Sequence, residues 1–222
     1  MSTFGAPGLL DLLDEGDRTI LARLGNRVSY GNGELVHDRG DVGTALGIVV
    51  SGKVNLYRMR ANGALVFASS VEAGQNFGDV VSVSTSNRTH HAVAEGHATV
   101  DHFSQAQLGV ILRDHPAITL ALYKVASHRL KTAIEMLDDA RMLKNEVRLA
   151  KMLRRMVSIP DGRVAIPIMQ DVLCQILGLS SVSVAHALKS LGQQGLLETG
   201  YRQIVIPDLP AFDAWLKTHD WE

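Results

Sequence analysis

One cysteine, Cys174, occurs in 222 residues. That excludes a disulfide within the chain and a four-cysteine zinc or iron–sulfur site within one chain. A surplus of either charge is also missing: 22 Lys and Arg against 23 Asp and Glu leave a formal net charge of −1. Bulk charge offers no general attraction to nucleic acid, so any such contact must come from a local basic patch. No apolar run approaches the ~20 residues that cross a bilayer. The opening "MSTFGAPGLLDLLDEGD" has no basic segment followed by a long apolar run, so no signal peptide is expected. Catalytic signatures are missing too. There is no Gly-rich phosphate loop, no HExxH spacing and no nucleophile–base–acid set. The chain reads as a cytoplasmic protein with no membrane partner and no enzymatic step.

What is present is an ordinary globular mixture, 46% hydrophobic and 20% charged. The length suits one large or two modest domains. "LLDLLDEGDRTILARLG" spaces its apolar residues as helices do and ends at Gly25. From Val28 to about Phe103 short β-rich runs alternate with glycine turns, as in "ALGIVVSGKVNLYRMR" and "HHAVAEGHATVDHF". Asn62-Gly63 predicts a tight hairpin in which both central residues adopt positive φ. Such short strands with regular turns suggest an antiparallel barrel or jelly roll. Residues 117–143 contain no Gly or Pro and read as one long helix. Its Ala126, Leu130, Ala133, Leu137 and Ala140 repeat at coiled-coil spacing, with small residues that allow close approach. The two readings of this stripe are a homodimer seam and a helix lying on its own barrel.

The last third carries the most specific pattern. "MQDVLCQILG" and "SVSVAHALKSLGQQG" are two short helices around "GLS", and "LLETGYRQIVIP" alternates like a two-stranded wing turning near Gly200. "DGRVAIPI" is an extended link before them. Counting Gln170 as position one, Cys174 is the small residue where the helices cross. Gly178 is the ninth residue, where the turn needs positive φ. Leu173, Leu177, Leu179, Val184 and Ala187 fill the inward positions, and Ser180 caps the second helix. This is a winged helix-turn-helix. The expected DNA-facing residues are Gln170, Ser180, Ser181, Val182, Ser183, His186, Lys189 and Arg202. Ser181 and Ser183 suit a base edge or phosphate, Val182 a thymine methyl, His186 a guanine acceptor and Lys189 a phosphate. Ser190 also falls on the outward face. Lys151, Arg154 and Arg155 are further candidates for phosphate. No bidentate arginine is on the reading face, so it forgoes contacts worth ~1–3 kcal/mol of discrimination each. DNA deformability then takes a larger share of any specificity.

The order of parts resembles the CRP/FNR family of bacterial transcription regulators over nearly the whole chain. "GDVGTALGIVVSGKVNLYRMRANGALVFASSVEAGQNFGD" looks like that family's cyclic-nucleotide-binding β-roll, with Gly40, Gly52, Gly63, Gly74 and Gly78 in the expected places. "RLAKML" followed by "QDVLCQILGLSSVSVAHALKSLGQQGLLE" looks like its DNA-binding half. The resemblance implies an α+β fold in three parts. These are a β-roll or jelly-roll sensor domain at 1–116, a dimerisation helix at 117–143 and a winged helix-turn-helix at 144–222. It also implies a homodimer on a palindromic double-stranded operator, RNA polymerase as a further partner, and a cyclic nucleotide of the cAMP type as effector.

In cyclic-AMP-binding members a Gly-Glu pair opens the phosphate cradle, the Glu meets the ribose, and an Arg and the next Ser or Thr meet the phosphate. A helix N-terminus with a guanidinium suits an anion. The matching residues are Gly78, Asp79, Arg88 and Thr89. Asp79 is one methylene shorter than Glu, and "VVSVSTSN" is one residue short of the family's spacing. Arg129 matches a family arginine on the long helix. Ala133 and Ile134 stand where a Thr-Ser pair reads adenine, and neither side chain donates. The second helix departs likewise, with Ser181, Val182 and His186 in place of Arg, Glu and Arg. Another effector in the same cavity, or none, stands beside the cyclic nucleotide. A ligand-binding or protein-interaction module with degenerate DNA reading stands beside the regulator. The family's cysteine cluster is absent, and adjacent strand residues point to opposite faces, so His90 and His91 do not share one metal or haem site. Cys174 reads as a small buried residue rather than a redox switch.

Overall fold

The computed structural model describes residues 7–41, 44–60, 62–78, 87–157 and 162–219, with only the backbone described at 44 and 45. The described residues divide into two compact units, one ending at Lys131 and one beginning at Thr132. The division falls inside the long helix.

The first unit begins with a 3-10 turn, Leu10–Leu12, and helix α1, Glu15–Leu24. Asp14 caps α1 by accepting from the Asp17 N–H. The strands are β1 Asn26–Tyr30, β2 Leu35–His37, β3 Thr44–Met59, β4 Leu65–Glu72, β5 Asn76–Phe77 and β6 His91–Ser104. They form one antiparallel sheet in the order β1-β6-β3-β4, with β2 on β6 and β5 on β3. The long strands β3 and β6 are bent by register shifts near Val49–Lys53. Gly52 sits at this bend with φ 76°, where an added Cβ would meet the His97 carbonyl oxygen at 2.1 Å.

Alternation along β3 sorts its side chains into two cores. Leu46 and Ile48 join Phe103 against α1, helix α2 (Gln105–Asp114) and the start of helix α3 (Pro116–Met142). Val49 and Val54 join Val71, Ala92, Ala94, Ala98 and Val100 in the roll. Small side chains dominate that second core. Ile118, Ala121 and Val125 are the face of α3 that covers the first core. The predicted seam is a different face: Ala126, Leu130, Ala133, Leu137 and Ala140 are all exposed in the single chain.

The hairpin that Asn62-Gly63 signals does join β3 to β4, but only one of the two central residues takes a positive φ. Met59 pairs with Leu65, and the Gly63 N–H donates to the Arg60 carbonyl at 2.9 Å. Gly63 has φ 81°, whereas Asn62 does not share a positive φ. Its side chain instead accepts from the Ala64 N–H at 3.2 Å, holding a longer loop.

The second unit holds the end of α3, then α4 Asn145–Arg155, β7 Val164–Ile166, α5 Gln170–Leu177, α6 Ser181–Gln193, β8 Glu198–Gly200, β9 Gln203–Ile206 and α7 Leu209–His219. The extended link is strand β7, paired with β9 in a three-stranded sheet β7-β9-β8. The core joins Leu149, Met152 and Leu153 of α4 to Leu173, Val184, Leu191, Ile206 and Phe212. Helices α2 and α7 lie outside the segments that the sequence pattern marked. Among the described residues no single helix is long and apolar enough to cross a membrane.

Candidate functional site

Helices α5 and α6 meet at 109°. Gly178 makes the corner at φ 65°, ψ 28°, and its N–H donates to the Cys174 carbonyl. Ser180 opens α6 by accepting from the Ser183 N–H at 3.1 Å, and the two hydroxyls are 2.9 Å apart. Leu173, Leu177, Val184 and Ala187 are buried, with Leu179 packed at the edge. Cys174 is half-buried, and burial followed by the Asp171 charge raises its thiol above the usual range. The thiolate is therefore disfavoured.

The outward face of α6 presents Ser181, Val182, His186 and Lys189. Val182 is 77% exposed, far more than a core valine. The His186 Nδ1 is 3.9 Å from a Glu146 carboxylate oxygen. Ser183 is half-buried with its hydroxyl held by the Ser180 cap, and Ser190 is also half-buried. Gln170 donates from Nε2 to the Ser181 carbonyl at 3.1 Å and so ties α5 to the start of α6. The wing turns at Tyr201–Arg202, one step beyond Gly200, which pairs with Gln203. Both turn residues are exposed. Arg202 alone among the described non-glycine residues has a positive φ, 55°.

Three of the basic residues do not form the phosphate-facing surface the sequence suggested. Lys151 lies 2.8 Å from Asp139 and Arg155 3.2 Å from the same carboxylate, with both side chains largely covered. Arg154 pairs with Asp213 at 2.6 Å. Asp139 is buried, so its two cations face inward to neutralise it. Linear sequence showed the positive charges on α4 without showing which acid faces them.

The other constellation lies inside the roll. Gly47 leaves room for the Phe77 ring, and an added Cβ there would meet the ring at 2.3 Å. His37 stacks on Phe77 with centroids 5.5 Å apart. The Arg88 guanidinium carbon is 5.8 Å from the same centroid. The backbone of Arg88 is stitched to the turn after β2, donating to the Asp41 carbonyl and accepting from the Gly40 N–H. His102, opposite Gly47 on β6, is 2.8 Å from the Tyr30 hydroxyl through Nε2. His37, Arg88 and His102 are all buried. Burial, then Arg88, hold the His37 imidazole down to about 3, and the same two causes lower His102. Burial also lowers Arg88, against the nearby Asp41 charge.

Of the expected effector residues, Gly78 follows Phe77 at φ 91° and Arg88 joins the ring. Arg129 reaches the same strand from α3, donating from Nη2 to the Asn76 carbonyl at 2.7 Å. Thr89 is exposed, with its hydroxyl 2.8 Å from His90 Nδ1. Asp79 and most of "VVSVSTSN" lie outside the described residues. His91 pairs through Nδ1 with Asp38 while His90 meets Thr89, so the two rings serve different partners. Among the described residues no group of three or more His, Cys, Asp or Glu side chains could hold a metal ion. Sequence reasoning did not single out His37, and it left His102 open between a surface and a core position, whereas both are buried. Their positions in strands otherwise lined by apolar neighbours were the available signal.

Comparison with known proteins finds matches to both parts of the chain. A model of the cyclic nucleotide-binding domain matches residues 27–115, and a model of the Crp-like helix-turn-helix domain matches 147–215. The chain is 25% identical to the cyclic AMP receptor protein of Thermus thermophilus over 171 residues, 77% of this chain and 79% of that one. It is 24% identical to the CRP-like cAMP-activated global transcriptional regulator of Mycobacterium tuberculosis over 187 residues, 82% and 84% of the two chains. In fold it is similar to the c-di-GMP responsive global regulator CLP of Xanthomonas campestris, with a TM-score of 0.72 at 20% identity, covering 87% of this chain and 99% of that one.

Proposed function

Because the chain belongs to the CRP/FNR family of transcription regulators, we propose that it acts as a homodimer whose paired α6 helices read a palindromic operator under control of a small effector in the roll. The observation that carries the DNA reading is the outward face of α6, held at a 109° corner with Ser181, Val182, His186 and Lys189 uncovered. Ser181, Val182 and His186 meet base edges, while Lys189 and Arg202 meet phosphates. Ser180, Ser183 and Gln170 position the start of the helix rather than specify a base.

The dimer rests on the uncovered seam. Leu130 is 63% exposed and Leu137 57%, and a second copy of the helix would cover both. Functionally the chain divides into a sensor at 1–116, a dimer helix at 117–143 and a DNA-binding part at 144–222. The protein works in the cytoplasm, by binding and without a catalytic step, and RNA polymerase is the partner through which a bound dimer acts. Gly78, Arg88 and Arg129 surround the effector, with Asp79 and Thr89 at its margin. A cyclic nucleotide of the cAMP type is the first candidate, as the names of the Thermus thermophilus and Mycobacterium tuberculosis relatives indicate for those proteins. An effector that prefers one dimer arrangement shifts the population toward it.

The test is charge reversal at Lys189 and Arg202. The doubly substituted protein loses DNA affinity, and the slope of log affinity against log salt shrinks by about 1 for each phosphate no longer neutralised. Unchanged affinity and slope would refute this placement of the DNA.

A further inference from the structure

His186 stands on the outward face of α6, and behind it, on α4, is an acid. The His186 Nδ1 lies 3.9 Å from a Glu146 carboxylate oxygen. The imidazole side chain is 77% exposed and the Glu146 side chain 25%, so the acid is partly covered while the ring projects into solvent. Packing sets this placement. Leu149, Ala150 and Leu153 of α4 share one core with Val184, Ala187 and Leu188 of α6, which holds the two helices together. Glu146 is in the first turn of α4, where the helix N-terminus complements a negative charge. Arg148, two residues on, is committed elsewhere. It donates to the Leu177 carbonyl at 2.8 Å and to the Asn145 side chain at 3.3 Å.

A neutral imidazole has one N–H and one bare nitrogen, and the partner of one nitrogen decides the role of the other. A carboxylate only accepts. Facing Glu146, Nδ1 therefore carries the hydrogen, and a small turn of the exposed ring closes the contact to a hydrogen bond. Nε2, the ring nitrogen farther from the backbone, is left as an acceptor. In the major groove cytosine offers a donor, its N4 amino group, whereas guanine offers acceptors, N7 and O6. The neutral ring thus fits cytosine and is turned away by guanine. Protonation adds a hydrogen at Nε2, leaves Nδ1–H on the carboxylate and reverses the choice.

We propose that Glu146 determines sequence specificity through His186: it fixes the hydrogen on Nδ1, so that α6 selects cytosine at one position of each half-site above neutral pH and guanine below it. This rests on the reading of α6 as the DNA-reading helix and deepens it. The guanine contact expected of His186 from the sequence becomes a choice set by the acid behind the ring. Glu146 touches no base and is a positioning residue. The other charged groups on the packed elements are Lys144 at the α4 cap, Arg148 on α4, Asp171 on α5 and Lys189 one turn further along α6. The three cations repel a charged ring, and the two acids attract it.

The experiment uses the full-length protein and duplexes selected from a random library, with and without cyclic AMP. The selected sequence is remade with C·G or G·C at each position in turn. The position that His186 reads is the one whose base preference is lost in His186→Ala. Affinities for its two forms are compared at about pH 8.5 and about pH 5.5, on either side of the ordinary histidine value. In the wild type the ratio is expected to move about tenfold toward guanine on acidification, the effect of one hydrogen bond gained or lost. In Glu146→Gln the carboxamide donates or accepts, so it fixes neither nitrogen, and the movement of the ratio with pH is lost. A role in structure or in overall charge changes affinity for every sequence alike and leaves the ratio unmoved. A ratio that is the same at both pH values in the wild type overturns the proposal, as does an equal movement in Glu146→Gln. If that variant does not fold, the 15N signals of the wild-type His186 ring at about pH 8.5 decide. A bare Nε2 supports the proposal, and a hydrogen on Nε2 overturns it. A sequence preference that His186→Ala leaves intact overturns the proposal and keeps the DNA reading. No duplex bound by the wild type overturns both.

Discussion

The Phe77 ring occupies the space that a side chain on Gly47 would need. A Cβ added there would come 2.3 Å from one ring carbon and 2.7 Å from another. Gly47 pairs with Phe77 across β3 and β5, and with His102 across β3 and β6. One missing methyl thus seats the ring on which His37 and Arg88 rest. Gly47→Ala is predicted to destabilise the protein by about 1–3 kcal/mol through overpacking and to weaken effector binding beyond that loss. Urea unfolding and ligand titration measure the two effects separately.

Acid should destabilise the unliganded protein. The folded-state value of His37 is depressed to about 3 from 6.5, so between those limits the unfolded chain binds the extra proton. The stability it contributes is fully present above pH 6.5 and is lost as pH falls toward 3. The slope is up to about 1.4 kcal/mol per pH unit for one histidine, and His90 and His102, also lowered, add to it in the same direction. Denaturant titrations below pH 6.5 should show the decline, and His37→Gln should make it shallower by about the share of one group.

Leu130→Glu with Leu137→Glu should leave the fold intact and abolish the dimer, because both side chains are exposed in the single chain. Sedimentation should give the monomer mass, 24.1 kDa, with unchanged circular dichroism and no operator binding. A dimer of the substituted protein would place the interface elsewhere.

The wing makes a smaller, two-sided prediction. Arg202 holds φ 55° without being glycine, a conformation costing ~1–2 kcal/mol for a residue with a Cβ. Arg202→Gly should raise stability by ~0.5–1 kcal/mol once glycine's extra chain entropy is subtracted. DNA affinity should fall in the same variant, since the charge leaves with the strain.

The helix-turn-helix was legible because its constraints are local. Gly178 at the corner, Ser180 at the cap and the inward spacing of Leu173, Leu177, Val184 and Ala187 all lie within a short stretch of chain. The long helix was legible for the same reason, through a stripe that repeats along it. Local signals erred where two patterns competed. Asn62-Gly63 marked the β3–β4 hairpin, but the Asn62 side chain accepts from the Ala64 N–H and only Gly63 takes the positive φ expected of both.

Properties that depend on distant residues were not legible. Lys151 and Arg155 looked like a basic surface until Asp139, on the preceding helix, was placed beside them. The roll interior draws His37 from β2, Phe77 from β5, Arg88 from the segment before β6 and His102 from within it. Nothing in the linear order brings those four together. Arg88 alone was expected, through its place in the phosphate cradle, and its histidine neighbours came from the sheet register.

The most direct test of the central claim is selection of bound duplexes from a randomised DNA library by the full-length protein, run with and without cyclic AMP. The account predicts one palindromic sequence with half-sites about one DNA turn apart, abolished by reversing charge at Lys189 and Arg202. Enrichment of no palindrome under any of these conditions would contradict it.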